Sequence, residues 1–148
     1  MGITLAMIGM GLMIGLAGTG SAVGLVISGS SVIGALKKKP ESLGLLLGMA
    51  SPPATQGLYG FVCYIIYSQI LTPEITVFQG SIALGAGLAV GIACLVSAIY
   101  QGIVCANGIA AFGSGYDVVG QTFILAAFPE FYAILSLIVA ILMKGLIK

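Results

Sequence analysis

The stretch Ala126-Ala127-Phe128-Pro129-Glu130-Phe131-Tyr132 lies inside residues 123–143, an otherwise almost wholly apolar run in which Glu130 is the only acid. About 20 such residues cross a bilayer as a helix. A charge at bilayer centre costs at least ~2.5–3.5 kcal/mol on insertion scales, so Glu130 reads by default as functional. Pro129 beside it removes a backbone donor, which predicts a break in the helix and a carbonyl without its helical partner. A carboxylate next to such a break, at mid-membrane depth, suits a cation or a proton. The competing reading is a neutral structural carboxyl hydrogen-bonded to a neighbouring helix.

The rest of the chain has the same character. It has 148 residues, 59% of them hydrophobic and 6% charged, with a mean hydropathy of +1.21. A soluble domain of this size has too little interior for that much apolar surface, so this is an integral membrane protein. The net charge of +1 comes with no basic stripe, so nothing points to nucleic acid. With no His in the chain, His-based catalysis and His-containing metal sites are excluded. Cys63, Cys94 and Cys105 lie in apolar segments at unrelated spacings and read as small buried hydrophobes. The N-terminal run is too long for a signal peptide and reads as a retained first span.

Four apolar segments cover residues 3–36, 43–71, 77–112 and 119–147, joined by short polar breaks. Only helices satisfy their own backbone in lipid over such lengths, and short connections make neighbours antiparallel. The predicted fold is therefore an all-α membrane protein of four transmembrane helices, arranged as two tandem antiparallel hairpins. Residues 1–75 form the first and residues 76–148 the second, which carries Glu130. A gapless shift of 76 (129 − 53) aligns Pro53 with Pro129, and also Gly11 with Gly87, Gly15 with Gly91, Ser21-Ala22 with Ser97-Ala98, and Ala50 with Ala126. A long gapless run of matches argues for duplication. Ala54 falls opposite Glu130, so one hairpin lacks the acid.

The first segment is lined with glycine, including the GxxxG spacings Gly11 to Gly15 and Gly20 to Gly24. The third has Gly87 to Gly91. Such faces let backbones approach closely. They suit an inner layer of first and third segments in a ring, or packing within a single chain, and the motif leaves both open. Lys37, Lys38 and Lys39 in one short loop place that loop in the cytoplasm, together with Gly113-Ser114-Gly115-Tyr116-Asp117. Both termini then lie outside, against the opposing signal of Lys144 and Lys148. Cytoplasmic loops are where a soluble partner docks.

Polar residues accompany Glu130. Pro52, Thr55, Gln56 and Tyr59 fall at i, i+3, i+4 and i+7, one helix face. With Gly115 as the hairpin tip, Glu130 lies 15 residues after it (130 − 115) and Gln101 lies 14 before it (115 − 101), so the two share a depth. Gln56, 17 residues past Lys39 (56 − 39), falls about half a turn deeper. A proton needs only a carboxyl, whereas a hard cation needs a cage of oxygens. Thr55, Gln56, Gln101 and Glu130 supply one, completed by a backbone carbonyl near Pro52 and Pro53. One carboxylate matches a monovalent ion, and Tyr59 is placed to donate to Glu130. Individually, Thr55, Gln56 and Gln101 also suit plain interhelical hydrogen bonds. Tyr67, Tyr100, Tyr116 and Tyr132 read as interface or packing residues.

Pro53-Ala54-Thr55-Gln56-Gly57-Leu58-Tyr59-Gly60, Gln101, Phe128-Pro129-Glu130 and the glycine-rich first segment ending in Lys-Lys-Lys-Pro-Glu resemble, over the whole chain, a known family. It is the proteolipid (K, or c) subunit of bacterial V-type ATPases, of the sodium-pumping kind. The resemblance implies many identical copies in a membrane ring, turning against a stationary membrane subunit. A soluble head hydrolyses ATP and drives a central stalk fixed to the ring, here on the loops near Lys37 to Lys39 and Gly113 to Asp117. It implies Na+ ligation by Thr55, Gln56, Gln101 and Glu130, a Tyr59 lock on Glu130, and carbodiimide reaction at Glu130. It also implies ligation by the Pro52 carbonyl, although the family usually has an ordinary apolar residue there. It implies no bond-breaking chemistry on this chain, which would sit among lipids in a bacterial plasma membrane. A proton-carrying ring, a small four-helix secondary transporter and a channel-like structural proteolipid are the alternatives.

Overall fold

The computed structural model describes residues 1–147, so Lys148 and its topology signal lie outside the described residues. The described residues form five α-helices: α1 (Gly2–Leu36), α2 (Leu43–Ala50), α3 (Thr55–Ser68), α4 (Val77–Gly113) and α5 (Val119–Lys144). There is no strand among the described residues. α1, α4 and α5 are each long and apolar enough to cross a membrane. α2 and α3 together make the remaining crossing, since residues 43–68 at ~1.5 Å per residue span a ~30 Å hydrocarbon core.

The helix break falls at a different proline from the one expected. α5 continues through Pro129, whereas a 3-10 turn over Pro52–Ala54 separates α2 from α3. A single proline costs a helix one donor, but Pro52 and Pro53 remove two in succession. Two of the carbonyls at the break find side-chain donors, which lipid favours. The Ser51 hydroxyl donates to the Gly48 carbonyl at 2.9 Å, and Ser28 of α1 donates to the Ala50 carbonyl at 2.7 Å.

Contacts give the directions of the helices. Gly2 meets Gly80, Gly9 meets Gly87 and Gly24 meets Gly102, so α1 and α4 run parallel in close contact. Gly60 of α3 packs on Met13 and Ala17, while Ser28 reaches back to Ala50, so the second crossing is antiparallel to α1. α5 is antiparallel to α4, since Gly108 meets Thr122 and Ser97 meets Pro129. The chain is two side-by-side hairpins joined through their first helices.

The glycines of α1 divide into two faces. A Cβ at Gly20 would stand 2.6 Å from the Leu95 Cα, and at Gly9 or Gly24 it would enter the backbone of α4. Among the described residues, Gly11, Gly15 and Gly18 have nothing within 4 Å of the same position. One GxxxG pair thus packs inside the chain and the other faces away from it.

The α4 ends are sharply defined. Thr76 and Gln79 form a reciprocal capping box at its start. At its end Gly115 takes φ +101°, and Tyr116 N–H reaches back to the Ala111 carbonyl at 3.2 Å, closing the helix in the left-handed form glycine favours. Lys39 sits 4.1 Å over the Phe112 ring, so the two loops of the hairpins share one end of the molecule. Two apolar clusters fill the interior, one around Met13, Cys63, Tyr67 and Cys94 and one around Val32, Leu46, Met49 and Ile109. All three cysteines are buried and free. Between the clusters lies the polar layer.

Candidate ion-binding site

The polar layer draws on three helices. α5 supplies Glu130 and the carbonyls of Ala126 and Pro129. α4 supplies Ser97 and Gln101, which are one turn apart and so share a face. The start of α3, just past the proline turn, supplies Thr55, Gln56 and Tyr59. Gln56 and Gln101 are both 0% exposed, which obliges them to find partners.

Gln101 Nε2 donates to the Ala126 carbonyl at 2.8 Å and to Glu130 Oε2 at 3.0 Å. The Gln101 Oε1 accepts from Gln56 Nε2 at 2.7 Å. The same Gln56 nitrogen donates to Ser97 Oγ at 3.0 Å, and the Ser97 hydroxyl donates to the Pro129 carbonyl at 2.8 Å. The Thr55 hydroxyl lies 3.0 Å from the Pro52 carbonyl and 3.3 Å from Gln56 Oε1. The Tyr59 hydroxyl donates to Glu130 Oε1 at 2.7 Å. Both carboxylate oxygens of Glu130 therefore accept a hydrogen bond. No buried side-chain polar atom among the described residues lacks a partner.

All six residues singled out from the sequence lie on this one connected path, from Pro52 through Thr55, Gln56, Gln101 and Glu130 to Tyr59. Gln101 and Glu130 meet at the shared depth. Gln56 touches Gln101 directly, at 2.7 Å, despite the half-turn offset counted from the loops. Thr55 makes no hydrogen bond to Glu130; it groups instead with the Pro52 carbonyl and Gln56 Oε1. Ser97 and the Ala126 carbonyl are members that the sequence did not point to. Ser97 was visible only as a repeat match to Ser21, though its place four residues before Gln101 marks the same face.

Tyr67 is buried and donates to the Ala140 carbonyl at 2.6 Å, a packing role. Tyr100, Tyr116 and Tyr132 are exposed. Lys144, at the end away from the loops, donates to Gln69 at 3.1 Å.

This is a set of carbonyl, amide, hydroxyl and carboxylate oxygens within a bundle whose outer surface is apolar. Large side chains such as Phe128, Phe131 and Leu142 stand more than half exposed on α5, as lipid permits and water does not. The sequence model of the ATP synthase C-subunit family matches residues 8–67 and again residues 84–143. Its two copies begin 76 residues apart (84 − 8), the offset of the internal repeat. The A-type ATP synthase subunit K of Methanocaldococcus jannaschii is 38% identical over 122 residues, 78% of this chain and 52% of the relative. The V-type sodium ATPase subunit K of Enterococcus hirae is 37% identical over 105 residues, 71% of this chain and 67% of the relative. The chain thus spans about half the length of the first relative and about two thirds of the second. The chain belongs to the ATP synthase C-subunit family, the membrane proteolipids of ion-translocating ATPases.

Proposed function

We propose that this chain is a rotor-ring subunit of a V-type rotary ATPase and carries Na+ at Glu130. The observation that carries this reading is the unbroken path of oxygen-bearing groups from the Pro52 carbonyl to the Glu130 carboxylate. A proton needs a carboxyl alone, whereas a hard cation takes several oxygens in exchange for its hydration shell. Thr55, Gln56, Gln101, Glu130 and the Pro52 carbonyl are the proposed ligands. Binding of one Na+ cancels the single negative charge, so the loaded site can face lipid. The name of the Enterococcus hirae relative, a sodium ATPase subunit, supports the same ion.

The surface supports a ring of identical copies. An apolar groove of about 390 Å³ between α4 and α5 is lined by Ile92, Val96, Ser97, Tyr100, Pro129 and Tyr132. Subtracting 76 gives Leu16, Gly20, Ser21, Gly24, Pro53 and Gln56. Of these, Leu16, Gly20 and Gly24 pack against α4 inside the chain, and Gln56 bonds Ser97. On the opposite side a groove of about 170 Å³ is lined by Met7, Met10 and Gly11, with Tyr64 and Leu71. Adding 76 to the first three gives Ala83, Ala86 and Gly87, all buried. The two open grooves are thus the two halves of a joint that each chain already makes within itself. A second copy docked in that register forms a head-to-tail contact, which continues from copy to copy until it closes. At that seam Phe131, Tyr132 and Leu135 replace Thr55, Gln56 and Tyr59, while Leu25 and Ala54 replace Gln101 and Glu130. The seam therefore has no equivalent site, leaving one per four crossings.

Transport on this reading is an alternation of Glu130. Facing lipid, it is neutralised by Na+ and held by Tyr59 and Gln101. Facing the stationary membrane subunit, a fixed positive charge competes for the carboxylate and Na+ leaves. Swinging the carboxylate away breaks two hydrogen bonds, each worth ~1.5–3 kcal/mol to a charged acceptor. No bond-breaking chemistry takes place on this chain. The central stalk docks on the loops around Lys37 to Lys39 and Gly113 to Asp117, which the reading places in the cytoplasm of a bacterial cell. The division into hairpins at residues 75 and 76 belongs to the same proposal.

Carbodiimide labelling of Glu130 over a matrix of pH and NaCl tests it. Protection by millimolar NaCl near neutral pH, with none from KCl, is expected. Labelling indifferent to NaCl removes sodium and leaves the proton-carrying ring.

A further inference from the structure

We propose that Ser97 is a positioning residue that fixes which end of the Gln56 amide faces the ion; the inference rests on the sodium reading above. An amide presents oxygen to a cation from one orientation only, and the flipped orientation presents an N–H. Something in the site must therefore decide the orientation.

The decision traces back to backbone. The carbonyls of Ala126 and Pro129 are fixed acceptors on α5 and cannot reverse. The first takes an N–H of Gln101 at 2.8 Å, which leaves Gln101 Oε1 turned toward Gln56. The second takes the only proton of the Ser97 hydroxyl at 2.8 Å, which leaves a Ser97 lone pair turned toward Gln56. Gln56 Nε2 thus faces two acceptors, at 2.7 Å and 3.0 Å, and has two protons to give them. A flipped Gln56 would set its oxygen against both acceptors. With the nitrogen committed, Gln56 Oε1 is left on the side of Thr55 and the Pro52 carbonyl.

Ser97 makes no hydrogen bond to Glu130, Thr55 or Tyr59, so it acts through Gln56. It is 5% exposed and borders the groove of about 390 Å³.

The test is the NaCl concentration that half-protects Glu130 from carbodiimide in the assembled complex, each variant normalised to its own rate without Na+. Ser97→Ala should raise it roughly ten-fold, the usual consequence of losing one buried hydrogen bond. Ser97→Thr and Ser97→Val add the same bulk, but only Thr keeps the hydroxyl. Thr should hold the wild-type value and Val should match Ala. Wild-type protection in Ser97→Ala and Ser97→Val overturns the proposal, and so does equal loss in Thr and Val, which would mean packing alone. A wild type that NaCl does not protect removes the sodium reading itself and this inference with it.

Discussion

Gln101 Nε2 lies 3.0 Å from Glu130 Oε2, a contact that joins α4 to α5 and ties the Glu130 carboxylate to the buried amide chain. Among the described residues, Gln101 is also the only one that touches both Gln56 and Glu130 by side-chain hydrogen bonds. Gln101→Leu keeps the bulk but strands one Gln56 proton and one carboxylate oxygen. Loss of ten-fold or more in Na+ affinity is expected, with ~1–3 kcal/mol of stability, measured by NaCl protection and by thermal unfolding of the complex.

Tyr59 holds the other carboxylate oxygen at 2.7 Å. Tyr59→Phe removes one hydrogen bond and leaves the oxygen cage in place. Carbodiimide should label Glu130 faster, and the half-protecting NaCl should rise by about ten-fold or less.

The two glycine faces of α1 and α4 should fail in different ways. Gly87→Ala drives a Cβ into Gly9 of the same chain, and overpacking of this kind costs ~1–3 kcal/mol. Folded chain should be lost, as measured by detergent-resistant protein after expression. At Gly11 an added Cβ has none of the described packing neighbours within 4 Å. Gly11→Ala should give normal chain but poor large oligomer on native gels.

The seam register is open to cross-linking. Shifting the internal pair Gly9 and Gly87 by 76 in opposite senses pairs Gly85 with Gly11 of the next copy (9 + 76 and 87 − 76). A chain carrying both Gly11→Cys and Gly85→Cys should oxidise to a ladder of multimers. Either substitution alone should give no cross-link, and mixed single variants should stop at dimers. Dimers from one substitution alone would mean a self-complementary contact instead.

The four apolar runs were legible because helices in lipid must be long and apolar, and the match of Gln101 to Glu130 followed from a fixed rise per residue counted from one loop. Tyr59 was legible for the same reason, as a position on the face of Thr55 and Gln56. Other features depend on neighbours that no single segment reveals. Pro129 looked like a break and is carried inside α5; the Pro52-Pro53 pair is the break, with Ser51 and Ser28 donating to the Gly48 and Ala50 carbonyls beside it. Gly20 and Gly11 look alike in the sequence, and only the facing helix tells them apart. Ser97 was hidden because one serine on a small-residue face has no signature until Gln56 and Pro129 are seen around it.

The central claim is that the oxygen path ending at Glu130 holds one sodium ion in each chain. Equilibrium binding of radioactive sodium to the purified complex measures this directly. One ion per chain is expected, displaced by excess NaCl but not by KCl, and lost in Glu130→Gln. No saturable binding, or binding that survives Glu130→Gln, would contradict it.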